Sequence, residues 1–458
     1  MKKLLTLLPL FLGGFFFSQR KPVQKISYPV EFKKISDEIL LNSNSYENLR
    51  ELTKQVGPRF SATTGYEKAV VWAEKKLKEA GAENIWKQEV VVPVWERGRE
   101  SLQIKTSGGK WQSLKMLSLG SSEGTGGKDL EGEILLVKSI QEFNTLMSKD
   151  VKGKIVFFNY PFDQSIVNTA DAYMLAGKYR WSTPSLVGKR GAKAVITRSL
   201  TSAFDDVPHT GSMYYDQDDK NRVPAISISA KAADELEKSL GKQKVFAKIN
   251  TTSGTKGEMI NHNVFGEIPG NKDKSVIVIG AHLDSWDISE GAHDNGAGVV
   301  QCLEVLRAFR KLNIENNHTI RVVLYANEEN GVQGGETYAA QAKKKGEKHI
   351  FAIESDAGGF SPRGISLDMI PQRRRLVFAW KDYFLPYGVY DFDQTYAGQD
   401  ILPLKKLDVP LAELVPDMQR YFDIHHTSED TFEKVNRREL MLGAVTIAQI
   451  VYMIDKNW

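Results

Sequence analysis

The stretch SVIVIGAHLDSWDISEGAHDNGAGVVQCLEVLRAFRKL, residues 275–312, decides the fold. Its first six residues form a continuous apolar run, which predicts a strand buried on both faces. From Asn295 onward, Val299, Cys302, Leu303, Leu306 and Phe309 recur at helical spacing. Between strand and helix the chain passes His282, Asp284 and Asp294. A strand, a polar loop and a helix make the unit of a parallel sheet covered on both sides. Loops at the carboxyl ends of such strands converge on one crevice, where these sheets bind their ligands.

The unit recurs on either side. RVVLYA (321–326) and HIFAIES (349–355) read as further strands, and a last helix spans about 438–454 with Leu440, Ala444, Ile447, Ile450 and Val451 inward. Upstream, Ser45 reads as an N-cap for a helix carrying Tyr46, Leu49, Leu52 and Val56, and a second helix covers about 64–80. A strand begins at Lys87, and residues 20–44 read as extended and polar. The texture changes over 113–253: EGEILLV, KGKIVFFNYP, GAKAVIT and VPAISIS are short strands between glycine and charged turns, with one helix at about 230–240. The expected fold is α/β: a mostly parallel mixed sheet flanked by helices, built from 19–112 and 254–458, with a β-rich insert at 113–253.

Composition narrows the function. Of 458 residues, 41% are hydrophobic and 26% charged, an ordinary globular balance for two domains. A net charge of +4 gives no reason to expect nucleic acid or an anionic membrane as partner. The lone cysteine, Cys302, excludes an intrachain disulfide and a cysteine zinc site. The start, MKKLLTLLPLFLGGFFFSQR, has a basic pair and then an apolar stretch broken by Pro9 and Gly13, the pattern of a secretory leader over 1–18. The mature chain is expected to be exported, periplasmic or extracellular, with no membrane anchor.

Five segments in the second half carry metal-ligand residue types: GAHLDSWD with His282, GAHDNGAG with Asp294, ANEENG with Glu329, ESDAGG with Asp356 and DIHHTSEDT with His426. Three of them follow predicted strands. Imidazole and carboxylate without sulfur suit Zn²⁺, and also admit Mn²⁺ or Co²⁺. Two ions about 3.5–4 Å apart need one bridging carboxylate and two terminal ligands each, a count that five residues meet. Asp284, two residues after His282, is placed to fix the imidazole's tautomer. Glu328 diverges from its neighbour Glu329 and is free to act as a general base on an activated water.

The order HxD, GAxDNGAG, NEENG, ESDAGG, HHTxxDT resembles the co-catalytic di-zinc exopeptidases, and AGQDILPLKKLDVPLAEL with YFDIHHTSEDT is similar to their carboxypeptidase Q branch. The layout of the insert resembles a protease-associated domain. The resemblance implies Asp294 as bridge, His282 and Asp356 completing one zinc, and Glu329 and His426 the other. It implies Glu328 as base and then acid, a cis peptide after Asp294, and a homodimer. His426 matches the ligand because Asp430 and Thr431 follow at the family's offset. His425 takes the place of an oxyanion-stabilising tyrosine, and His293 is incidental. Tyr421 and Arg420 are candidates for lining a pocket that takes a short peptide with a free terminus. Dipeptidase or carboxypeptidase action is the first expectation. Aminopeptidase action, a one-zinc glutaminyl cyclase and an inactive receptor-like binder are the alternatives.

Overall fold

The computed structural model describes residues 30–458, so the leader expected at 1–18 lies outside the described residues. Two sheets organise the described residues. The first has seven strands, in the spatial order Asn84–Glu96, Gly254–Ile268, Thr319–Tyr325, Val276–His282, His349–Glu354, Leu411–Pro416 and Pro362–Asp368. The middle four run parallel and the outer ones antiparallel. Val276–His282 and Thr319–Tyr325 are buried along their whole length, and Arg321 within the second is paired with Glu267 and Glu347.

Helices Val30–Asn42, Thr64–Glu79, Gly298–Lys311 and Arg437–Asn457 cover one face and share a core with Ile277, Ile279, Ile320 and Val322. On the other face, helix Gln333–Lys345 sets Tyr338 and Ala339 into a core with Val278, Val323 and Ala352. Gly298 opens its helix directly against the sheet. A Cβ there would lie 2.0 Å from the Ser355 carbonyl, so only glycine permits the approach. The α/β architecture with a mixed sheet is therefore the one that the sequence predicts.

Four details differ from the sequence reading. Residues 30–42 are helical, not extended: Phe32, Ile35, Ser36 and Ile39 form its buried stripe, and a serine within that stripe hides the period. The central strand runs on through His282. The second sheet, of eight strands, begins at Glu100–Thr106, earlier than position 113, because that strand pairs with Val245–Thr251. The unit over 100–251 is also α/β, not β-rich with one helix. Strands Leu130–Val137, Ile155–Phe158, Ala194–Arg198 and Ala225–Ile228 are parallel, and helices include Thr169–Trp181 as well as Ala230–Leu240. Thr169–Trp181 buries Ala172, Ala176 and Gly177 while Met174 and Leu175 face outward, so hydrophobic periodicity does not reveal it.

The second unit is reached through a ribbon. Asn84–Glu96 and Gly254–Ile268 pair antiparallel from Asn84↔Glu267 to Glu96↔Gly254, with one irregularity between Pro93 and Trp95.

Helix Val30–Asn42 is a working part of the core. Phe32 is fully buried, edge-on to Phe384 at 5.2 Å, and Glu38 pairs with Arg307 of helix Gly298–Lys311 at 2.7 Å. Phe32→Ala is expected to destabilise the fold by about 3–5 kcal/mol. Thermal unfolding measures it, and an unchanged Tm would show that the helix is dispensable.

Candidate metal centre

Three parallel strands deliver polar side chains to one end of the sheet. His282 is the last residue of the central strand, Glu328 and Glu329 follow Thr319–Tyr325, and Asp356 follows His349–Glu354. Asp294 comes from the turn before helix Gly298–Lys311, and His425 and His426 from the loop after Tyr421–Ile424. All five predicted ligands meet there.

Asp294 sits in the middle. His282 Nε2 lies 3.2 Å from its Oδ1 and 3.0 Å from Asp356 Oδ1. On the other side, His426 Nε2 lies 3.3 Å from Asp294 Oδ2 and 3.3 Å from Glu329 Oε2. These separations match the edge of a tetrahedron, about 3.3 Å, around an ion bound at roughly 2.0 Å. Asp294 Oδ2 and Glu329 Oε1 are buried without a hydrogen-bond partner among the described residues. Such oxygens are costly unless a cation or donor meets them. The donor set therefore fits metal ions in both triads, with nitrogen and oxygen ligands that suit zinc.

The electrostatics agree. Burial raises the carboxyl pKa of Glu329 and of Asp356, and neighbouring carboxylates add to the rise. Glu328 is raised well above the usual range by desolvation and by Asp356, Asp294 and Asp284. Burial alone lowers the His282 pKa, but Asp356, Asp284 and Asp294 overcome it and hold it well up. The crevice favours positive charge at several points.

Second partners fix the donors. The His282 Nδ1–H donates to the backbone carbonyl of Asp284 at 3.1 Å, which turns Nε2 toward Asp294 and Asp356. The expected role of Asp284 is thus met by its main chain, because its carboxylate lies 3.6 Å from the ring. That carboxylate accepts the amides of Glu328 at 3.2 Å and Glu329 at 3.3 Å, and so aims the glutamate pair. Asp430 accepts the amides of His293 at 2.7 Å and Asp294 at 3.0 Å. Asn295 donates to the Ser355 carbonyl and accepts the Gly298 amide, tying the Asp294 turn to the Asp356 strand. The Asp294–Asn295 peptide is cis, as expected.

The His425 ring stacks on His426 with centroids 3.5 Å apart, and its Nε2 lies 3.5 Å from Asp294 Oδ2. Only His426 also reaches Glu329. Tyr421 is buried against His425, with ring centroids 4.9 Å apart. Arg420 is exposed and paired with Glu439 at 3.2 Å, over the Phe360 ring, so its charge is already matched. His293 is buried, stacks on Phe360 and accepts the Gly359 amide. Sequence reasoning missed Arg59, which is fully buried and donates to the carbonyls of Leu283, Glu290 and Gly291, pinning the loop between His282 and Asp294. It also missed Tyr173, Arg180 and residues 209–212, which bring the second unit to the histidine loop.

The pattern of peptidase family M28 matches residues 263–451. Carboxypeptidase Q of Xenopus laevis is 32% identical over 414 residues, spanning 90% of this chain and 86% of that protein. The Homo sapiens protein of the same name is 30% identical over 414 residues, spanning 90% and 85%. The crystal structure of a peptidase M28 precursor from Shewanella amazonensis superposes with a TM-score of 0.88 at 31% identity, covering 93% of this chain and 96% of that one. A zinc aminopeptidase from Bacillus subtilis, 18% identical, shares the fold with a TM-score of 0.63, covering 90% and 95%.

Removing the Asp284 carboxylate frees two amides and the aim of both glutamates. Asp284→Ala is expected to lower peptide hydrolysis about 10–100-fold, the range for a ligand's supporting partner. Steady-state kinetics at saturating zinc measure it.

Proposed function

The chain belongs to peptidase family M28, a metallopeptidase family, and from that premise we propose that it is an exported di-zinc exopeptidase hydrolysing dipeptides or short peptides with a free terminus. The observation that carries the reading is the two-sided position of Asp294, with His282 against one oxygen and His426 against the other, and with Asp356 beside the first imidazole and Glu329 beside the second. His282, Asp356 and Asp294 would hold one ion; Asp294, Glu329 and His426 the other. When bound, two zinc ions lower the pKa of water and polarise a carbonyl.

The chain's own groups do the rest. Glu328, aimed by its amide bond to Asp284, takes the proton from the attacking water and returns it to the leaving amine. His425 donates from its imidazole to the oxyanion as the carbonyl becomes tetrahedral. Tyr421 supports His425 from behind. The unit over 100–251, read as a protease-associated domain, narrows the approach to the crevice. A homodimer completes the proposal.

Glu328→Gln keeps the size and removes the base. It is expected to retain zinc and lose dipeptide hydrolysis by at least about 100-fold; full activity with zinc bound sinks the assignment. His425→Phe keeps the stack on His426 and removes the donor. A fall in kcat of about 100-fold with KM little changed supports the oxyanion role, and a change in KM alone refutes it. Free dipeptides, N-blocked dipeptides and aminoacyl anilides, compared on the zinc-loaded and chelated protein, separate dipeptidase from aminopeptidase action. Cleavage of anilides in preference to free dipeptides would overturn the dipeptidase reading.

A further inference from the structure

Residues 209–212 of the second unit cross behind the loop that carries His425 and His426. The His209 Nδ1–H donates to the His425 carbonyl at 2.8 Å, and the Thr210 amide donates to the His426 carbonyl at 3.0 Å. The Ser212 hydroxyl donates to the Glu329 carbonyl. Gly211, at φ 135, lies between them. A Cβ there would fall 2.7 Å from His426 Nδ1, so the segment comes as close to the imidazole as bare backbone allows. Each bond reaches the main chain of a residue in the same half of the crevice.

The segment is itself clamped. Arg180, on helix Thr169–Trp181, donates from Nε to the Ser212 carbonyl at 3.1 Å, from Nη1 to Thr210 at 3.4 Å and from Nη2 to the Tyr173 hydroxyl at 2.7 Å. Arg180 is buried, and these acceptors are all neutral. A buried guanidinium that gives its donors to backbone carbonyls holds them firmly, because breaking those bonds strands a charge. The same helix is anchored to the peptidase body. Thr169 donates to the Met418 carbonyl at 2.7 Å, and Tyr173 stacks on Phe422 at 4.5 Å and meets His425 edge-on at 5.2 Å.

The other half of the crevice has different supports. His282 rests on the Asp284 carbonyl, the Asp294 turn on Asp430, and the end of the Asp356 strand on Asn295. All of these residues belong to the unit of the seven-stranded sheet.

We infer that residues 209–212 are a positioning element for one half of the metal centre: the second unit sets the affinity of the Glu329–His426 side, and the His282–Asp356 side is independent of it. The inference rests on the two-metal reading.

Zinc titration against a chromophoric chelator tests it on the full chain after metal removal. His282→Ala and His426→Ala identify which binding step belongs to which half. Ser212→Ala removes one hydroxyl, His209→Ala removes the imidazole, and His209→Asn returns an N–H close to the place of Nδ1. Ser212→Ala and His209→Ala are expected to weaken, by about tenfold or more, the step that His426→Ala abolishes. The step that His282→Ala abolishes stays unchanged, and His209→Asn recovers most of the loss. Equal weakening of both steps, or of neither, overturns the inference. A single step in the unaltered protein overturns the two-metal reading and the inference with it. If His209→Ala fails to fold by circular dichroism, the Ser212→Ala titration decides.

Discussion

Both halves of the crevice meet in one carboxylate. Asp294 turns Oδ1 to His282 and Oδ2 to His426, and neither imidazole would share a centre with the other without it. Most of the surrounding polar structure serves to hold that group still. Asp430 takes its amide, Asn295 couples its turn to the strand before Asp356, and Arg59 pins the loop that leads into it. Gly298 lets the following helix press onto the sheet, so the turn has little room to move. A carboxylate held between two imidazoles thus accounts for a buried network that a stability argument alone would not call for.

The same arrangement concentrates acid. Beyond the ligands, burial pushes Glu354 up to about 8, and it raises Asp400 and Glu413 well above the usual range. Carboxylates gathered at the ends of parallel strands repel one another and lose hydration together. Cations entering the crevice relieve both costs, so metal loading and the stability of this end of the sheet are linked quantities.

The residues that line this crevice were legible because they sit in short motifs whose spacing answers to strand ends. His282, the Glu328–Glu329 pair and Asp356 each follow a short, largely apolar run that reads as a strand. What stayed hidden lacks such a signal. Helix Val30–Asn42 buries a serine among its apolar positions, and Thr169–Trp181 buries alanine and glycine while exposing methionine and leucine, so neither shows the expected contrast. Arg59 and Arg180 look like surface charges in sequence, since nothing local tells that their partners are carbonyls far along the chain. The division of work on Asp284 was half visible: its place beside the imidazole could be read, but not that its main chain serves the ring and its side chain serves the glutamates.

The ribbon of Asn84–Glu96 and Gly254–Ile268 gives the molecule a seam. Its strands are still paired where the chain departs, at Glu96, and where it returns, at Gly254. The second unit therefore occupies the position of a hairpin turn, and its two ends were never apart. Joining them again costs a turn's worth of closure entropy and disturbs no strand of the larger sheet. Such a closure would leave the larger sheet with all seven strands and would take away the outside bonds to the His425, His426 and Glu329 carbonyls.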